Sequence, residues 1–221
     1  MSASIPKKSE AQGVAKPLSP GLARRSMLAY LIDAANLITL ASLAFSFYAC
    51  WSVLAGRPAL AAALVAVAIV IDNVDGWVAR RTVGRNPNFE HFGSHLDCYS
   101  DFISKGMFPV LYLLTATDMQ VAFLPVALIY LVAITVRYSY EFIPDCPQIG
   151  LSPDYVIVFV CLLQLAKPQM GSAFIPILMA SLVGFAVLAV ARFPSPKLKG
   201  GALVGFCLFL LVLAAVLLTI E

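Results

Sequence analysis

Four aspartates and two glycines fall at helical spacing inside apolar sequence. Asp72, Asp75 and Gly76 lie in "VAVAIVIDNVDGWVARR", and Gly93, Asp97 and Asp101 lie in "FGSHLDCYSDFISKG". At about 100° per residue, Asp72, Asp75, Gly76 and Ala79 share one face of a helix. Gly93, Asp97, Asp101 and Lys105, each four apart, form a narrow stripe on another. Carboxylates this close cannot all stay ionised without compensation, and one carboxylate inside a bilayer costs about 2.5–3.5 kcal/mol on insertion scales. A divalent metal supplies the compensation, and an all-oxygen ligand set favours Mg²⁺ or Mn²⁺ over zinc. Arg80, one turn beyond Gly76, adds a phosphate partner beside a residue that permits close approach. Metal, arginine and such a glycine together suit phosphoryl chemistry. A structural ion-pair cluster, or a cation path through a transporter, is the other use of intramembrane acids. A path has to continue across the membrane; apart from Lys105 this stripe stops about a turn into its apolar segment, where "MFPVLYLL" follows.

The elements that position these residues are membrane helices. Of 221 residues, 61% are hydrophobic and only 12% charged, against about a quarter charged in soluble domains. Several apolar stretches reach about 18–20 residues, the length that crosses a bilayer core as a helix. The sequence predicts an all-α, polytopic transmembrane bundle of six to seven spans. They run at about Asn36–Leu54, Ala59–Arg81, Ser94–Leu114, Gln120–Tyr140, Asp154–Leu165, Phe174–Ala191 and Ala202–Ile220. The first is preceded by "LARRSMLAYLIDAANLITL", which reads as an interfacial amphipathic helix turning into the membrane. Residues 1–20, polar and rich in Pro, Ser and Lys, read as a disordered cytosolic tail, and 21–221 as one membrane domain. The N-terminal stretch lacks the apolar core of a signal peptide. Connections are predicted at "TVGRNPNFEHF", "TATD", "EFIPDCPQIGLSP", "AKPQMG" and "RFPSPKLKG".

Lys and Arg placement sets the predicted orientation. Lys7, Lys8, Lys16, Arg24, Arg25, Arg80, Arg81, Arg85, Arg137, Arg192, Lys197 and Lys199 fall on one side of alternating spans, and only Arg57 and Lys167 on the other. Both aspartate pairs therefore face the cytoplasm. A net charge of +3 is too small to suggest nucleic acid. Cys50, Cys98, Cys146, Cys161 and Cys207 are scattered without a CxxC pair, which suits neither a zinc site nor a disulfide framework. Trp51 and Trp77 sit near predicted interfaces, where aromatic belts form. His91 and His95 read as loop or helix-end residues rather than ligands, because the acids already satisfy an oxygen-loving metal.

The pattern Asp72-x-x-Asp75-Gly76-x-x-Ala79-Arg80, then Gly93-x-x-x-Asp97-x-x-x-Asp101, resembles the signature of the CDP-alcohol phosphatidyltransferases. This chain carries twelve residues between Arg80 and Gly93 where the family pattern has eight, and the extra residues fall in the polar loop. The resemblance implies a bundle of about six helices with a cytoplasm-facing cavity, two divalent metals (Mg²⁺ or Mn²⁺), a homodimer, and a setting such as a bacterial inner membrane. It implies Asp72, Asp75, Asp97 and Asp101 as metal ligands and Asp101 as the base for the acceptor's proton. It implies Gly76, Ala79, Arg80 and Gly93 as the surface that binds the CDP moiety of CDP-diacylglycerol.

Within the family, "DCYSDFISKGMFP" is similar to the phosphatidylserine synthase version, with Gly106 and Pro109 at matching offsets but Lys105 where that version has Phe. "RYSYEF … IGLSP" and "VLAVARFPSPKLKG" resemble its later loops. L-serine is therefore the expected acceptor, with Arg137 and Lys105 as its candidate carboxylate contacts. "IGLSPDY" is also similar to phosphatidylcholine synthases, and glycerol phosphate or inositol phosphate acceptors stay open because Arg85, Lys105 and Arg137 supply cations.

Overall fold

The computed structural model describes residues 26–82, 84, 86–143, 146–194, 198 and 200–220. Among these the chain forms helices and loops, with a single isolated bridge between Ile149 and Pro194. The helices are α1 (Ala34–Leu54), α2 (Pro58–Arg81), α3 (87–116), α4 (Val121–Glu141), α5 (Asp154–Met170), α6 (Phe174–Val190) and α7 (Gly201–Thr219). Five runs are long and apolar enough to cross a membrane: α1, α2, α4, α7 and the continuous run Asp154–Val190. That run folds back on itself. Gly171, at φ +51°, breaks it, and Leu151 N donates to Leu188 O at 2.9 Å, so the start of α5 and the end of α6 lie at the same end of the bundle. Helix α3 is not among the five, because its acids, histidines and Lys105 dilute its hydropathy. Large apolar side chains such as Phe47, Leu128, Val132 and Val212 point outward, as an integral membrane protein requires of its lipid-facing surface.

The first two helices pack through small residues. Ala61, Ala62, Ala66 and Ala68 of α2 are fully buried, as are Ser46 and Ala49 of α1. Ser42 Oγ donates to Ala68 O across the pair at 2.9 Å. Without a hydrophobic drive between helices in lipid, close backbone approach and such hydrogen bonds are what hold them together. The connection needs only Ala55–Arg57, with Gly56 at φ +75° and Pro58 opening α2, the position where a missing N–H costs nothing.

Two boundaries differ from the sequence reading. Helix α3 begins at Pro87, with Asn86 as N-cap accepting from Asn88 N at 2.9 Å. Most of the predicted loop "TVGRNPNFEHF" is therefore the first two turns of a helix, started by an Asn-Pro pair that suits N-cap and N1. Helix α5 runs past Leu165 to Met170 with Pro168 inside it, so "AKPQMG" turns only at its glycine. The predicted interfacial helix is, among the described residues, a 3₁₀ turn at Met27–Leu31, with Met27, Leu28 and Ile32 exposed and Tyr30 packed on Phe89 and Phe92. The tail 1–20, Arg24, Arg25, Arg85, Lys197 and Lys199 lie outside the described residues.

Helix α3 changes register midway, with a π-helical segment at Phe102–Met107. Pro109 is the local cause: it has no N–H for the carbonyl of Lys105, and its ring crowds that carbonyl. Tyr130 of α4, fully buried, donates its hydroxyl to Lys105 O at 2.5 Å. The orphaned carbonyl thus has a partner, and the segment carrying Lys105 is tied to α4.

Candidate active site

The cytoplasm-expected ends of α2, α3, α4 and α5, with the start of α7, enclose a cavity of about 350 Å³. Its walls carry Asp72, Asp75, Gly76 and Arg80 from α2, Asp97, Asp101 and Lys105 from α3, Arg137 and Tyr138 from α4, and Asp154 from α5. A smaller cavity of about 190 Å³ shares Asp75, Gly76 and Asp97 and adds Thr39, Ala79 and Gly93. Among the described residues, the two together hold every site residue singled out in the sequence.

The acids do not all play the same part. One carboxylate oxygen from each of Asp72, Asp97 and Asp101 lies within 4.8 Å of the others. Asp75 is turned away to α1, where Thr39 Oγ1 donates to its Oδ2. Lys105, 4% exposed, points its ammonium at Asp101 Oδ1 (2.6 Å), Asp154 Oδ1 (2.8 Å) and Asp72 Oδ2 (3.0 Å). Of these ion pairs only the one with Asp72 also has hydrogen-bond geometry. Asp72 Oδ1 is buried with no hydrogen-bond partner. A buried, unpartnered oxygen on an acid that comes this close to two further carboxylates fits a hard divalent cation, and Asp72, Asp97 and Asp101 are the residues that would hold it.

Arg80 folds back over Gly76: a Cβ on that glycine would lie 3.2 Å from Arg80 Nη1. The glycine therefore leaves room for the guanidinium to lie along the helix beside the acids. Arg81 goes the other way, over the Trp77 ring at 4.1 Å, and Trp77 is about half exposed, as an interfacial tryptophan is.

Arg137 is 6% exposed and heavily engaged. Its Nη1 donates to Ile149 O and, at 3.1 Å, to Ala189 O, and its Nη2 is 3.3 Å from Glu141 Oε1. It thus clasps the end of α6 and the loop before α5 to α4. Gly150 completes the clasp at φ +80°, with Gly150 N donating to Phe193 O at 2.8 Å. A Cβ there would stand 2.2 Å from Ala189 O and 2.9 Å from Arg137 Nη1. Left-handed strain and a backbone clash act together, so Gly150→Ala lowers stability by at least about 2 kcal/mol. The check is the melting temperature in detergent. Gly184→Ala, at a helical glycine with no atom within 4 Å of the added Cβ, is the control and leaves the melting temperature unchanged or slightly raised.

Asp154, Thr39, Tyr138 and Tyr130 were not legible as site residues. Asp154 reads in the sequence as an ordinary acid at a helix start; in the fold it reaches Lys105 and accepts from Ser152 Oγ at 2.8 Å. Tyr138 Oη sits 3.4 Å from Asp101 Oδ2. His91 and His95 lie apart from the carboxylates, with Nε2 atoms 3.3 Å from each other and His95 stacked on Phe142. All five cysteines are free; Cys50 and Cys161 are buried.

A family model described as CDP-alcohol phosphatidyltransferase matches residues 32–220, from the turn before α1 to the end of α7. No curated protein matches the chain.

Proposed function

The chain belongs to the CDP-alcohol phosphatidyltransferase family, and within it we propose that the protein moves a phosphatidyl group from CDP-diacylglycerol to a small alcohol, L-serine, releasing CMP. The observation that carries this reading is the convergence of Asp72, Asp75, Asp97 and Asp101 with Gly76, Arg80 and Gly93 on two cavities at one end of the bundle that share Asp75, Gly76 and Asp97. The CDP moiety lies against Gly76, Ala79, Arg80 and Gly93. Asp101 accepts the hydroxyl proton as the acceptor oxygen bonds to the phosphatidyl phosphorus and the bond to CMP breaks. Asp72, Asp97 and Asp101 would hold a divalent metal, Mg²⁺ or Mn²⁺, which would supply charge stabilisation for the phosphoryl oxygens. Homodimerisation belongs to the same reading, supported by the family resemblance.

Serine is favoured over phosphorylated acceptors by how the cavity's cations are used. Lys105 is committed to three carboxylates and Arg137 to two carbonyls and Glu141, which leaves Arg80 as the exposed cation among the described lining residues. A phosphate brought by the acceptor, with up to two negative charges, would compete with the donor for it, whereas serine carries one carboxylate balanced by its own ammonium. A transporter is disfavoured because the α3 face below Lys105 passes to Phe108 and Leu113, both fully buried in the apolar core. The test is CMP release by the purified protein from CDP-diacylglycerol with serine, choline, glycerol phosphate and inositol phosphate offered in turn. Serine-dependent release that EDTA abolishes and Mn²⁺ or Mg²⁺ restores is expected. Release with another acceptor alone would reassign the substrate, and no release with any of them would reject the reading.

A cytoplasmic site follows from the Lys and Arg asymmetry. In a Cys146→Ser background, Thr82→Cys is expected to label only from the cytosolic side and Gln169→Cys only from the opposite side. Both positions are exposed, at the two ends of the bundle. The reverse pattern would overturn the orientation.

A further inference from the structure

We propose that Lys105 is a built-in cation of the site: its ammonium stands where a second metal ion would otherwise be needed, so that the chain binds one divalent ion per site rather than two. The proposal rests on reading the cavity as a metal-assisted transfer site. Three features carry it. First, the ammonium lies between Asp72 Oδ2 and Asp101 Oδ1, at 3.0 and 2.6 Å. A metal bridging those two oxygens would compete for the same lone pairs, and two cations at such range repel strongly where water is scarce.

Second, the lysine is held in place by groups outside the acid motif. Asp154, itself positioned by Ser152, grips Nζ from α5 at 2.8 Å. The backbone of Lys105 is fixed by the π-helical segment and by Tyr130. The ammonium therefore keeps a partner even when Asp72 and Asp101 turn toward a metal. Third, the cluster keeps oxygens that Lys105 does not use. Asp72 Oδ1 has no hydrogen-bond partner, and Asp97, within 4.8 Å of its neighbours' oxygens, is not among the ion-pair partners of Lys105.

The experiment counts metal on the purified full-length protein. Mn²⁺ bound per chain is measured by equilibrium dialysis, and the bound ion is read by electron paramagnetic resonance. Wild type is expected to take one Mn²⁺ at saturation, with the spectrum of an isolated ion. Lys105→Met, purified with Mn²⁺ present to balance the exposed carboxylates, is expected to take two and to show a spin-coupled pair. Two ions in wild type, none in wild type, or one in Lys105→Met overturns the proposal. If the variant cannot be recovered, the wild-type count decides alone. CMP release on the same preparation separates this from the functional reading. Release with two bound ions rejects the role of Lys105 and keeps phosphatidyl transfer. One bound ion without release for any acceptor keeps the count and rejects the transfer.

Discussion

Asp97→Asn lowers CMP release by at least about 10³-fold, about 4 kcal/mol of transition-state stabilisation, and weakens Mn²⁺ binding. The amide keeps the volume of the carboxylate but removes its charge from the cluster in which Asp72, Asp97 and Asp101 approach within 4.8 Å. Asp97 is the acid of that cluster without an ion pair to Lys105, so losing it subtracts from metal binding without breaking the lysine's contacts. It also lines both cavities, which the proposed reaction assigns to the donor's phosphates and the acceptor. Helical content and chromatographic behaviour are expected to stay as in wild type, which separates lost chemistry from lost fold. Near-wild-type turnover of this variant would remove the metal from the proposed mechanism.

Arg137→Ala costs about 30- to 1,000-fold in kcat/KM for the acceptor, roughly 2–4 kcal/mol, the scale of lost hydrogen bonds to a buried charge. The sequence suggests a direct grip on the serine carboxylate. In the structure the guanidinium is instead engaged by Ile149 O, Ala189 O and Glu141, so it acts on the acceptor through the loop that it sets, the one that delivers Ser152 and Asp154. A fork that bonds two carbonyls and a carboxylate cannot be copied by a point charge. Arg137→Lys is therefore expected to be nearly as impaired as Arg137→Ala, with the loss in the acceptor term and the KM for CDP-diacylglycerol changed far less. Recovery by lysine to near wild type would show that charge alone matters and that the clasp does not. Unchanged serine kinetics in Arg137→Ala would remove the residue from acceptor handling altogether.

The spacing of Asp72, Asp75, Asp97 and Asp101 was readable because helical geometry is local. Residues three or four apart share a face whatever the helix packs against, so the Asp101–Lys105 contact at 2.6 Å follows from the spacing once a helix is granted. The neighbouring apolar runs were equally legible, because lipid leaves a chain little choice but helix; which helix α3 packs on was not, for it lies along α1 and meets α2 chiefly at the segment carrying Lys105. The Asn-Pro start of α3 was present in the sequence but hidden beneath polar composition, since a polar helical extension looks like a loop to hydropathy. What sequence could not fix was the choice of partner between distant segments. Asp154 meets Lys105 only because the α5–α6 hairpin returns its two ends to the site. Tyr130 reaches the Lys105 carbonyl only because α4 packs on the π-helical segment that Pro109 creates. Asp75 turns from its fellow acids to Thr39 only because α1 lies against α2. Such pairings are decided by which helix faces bury against which, and the aspartates, identical in type and spacing, acquire different environments only when that packing is complete.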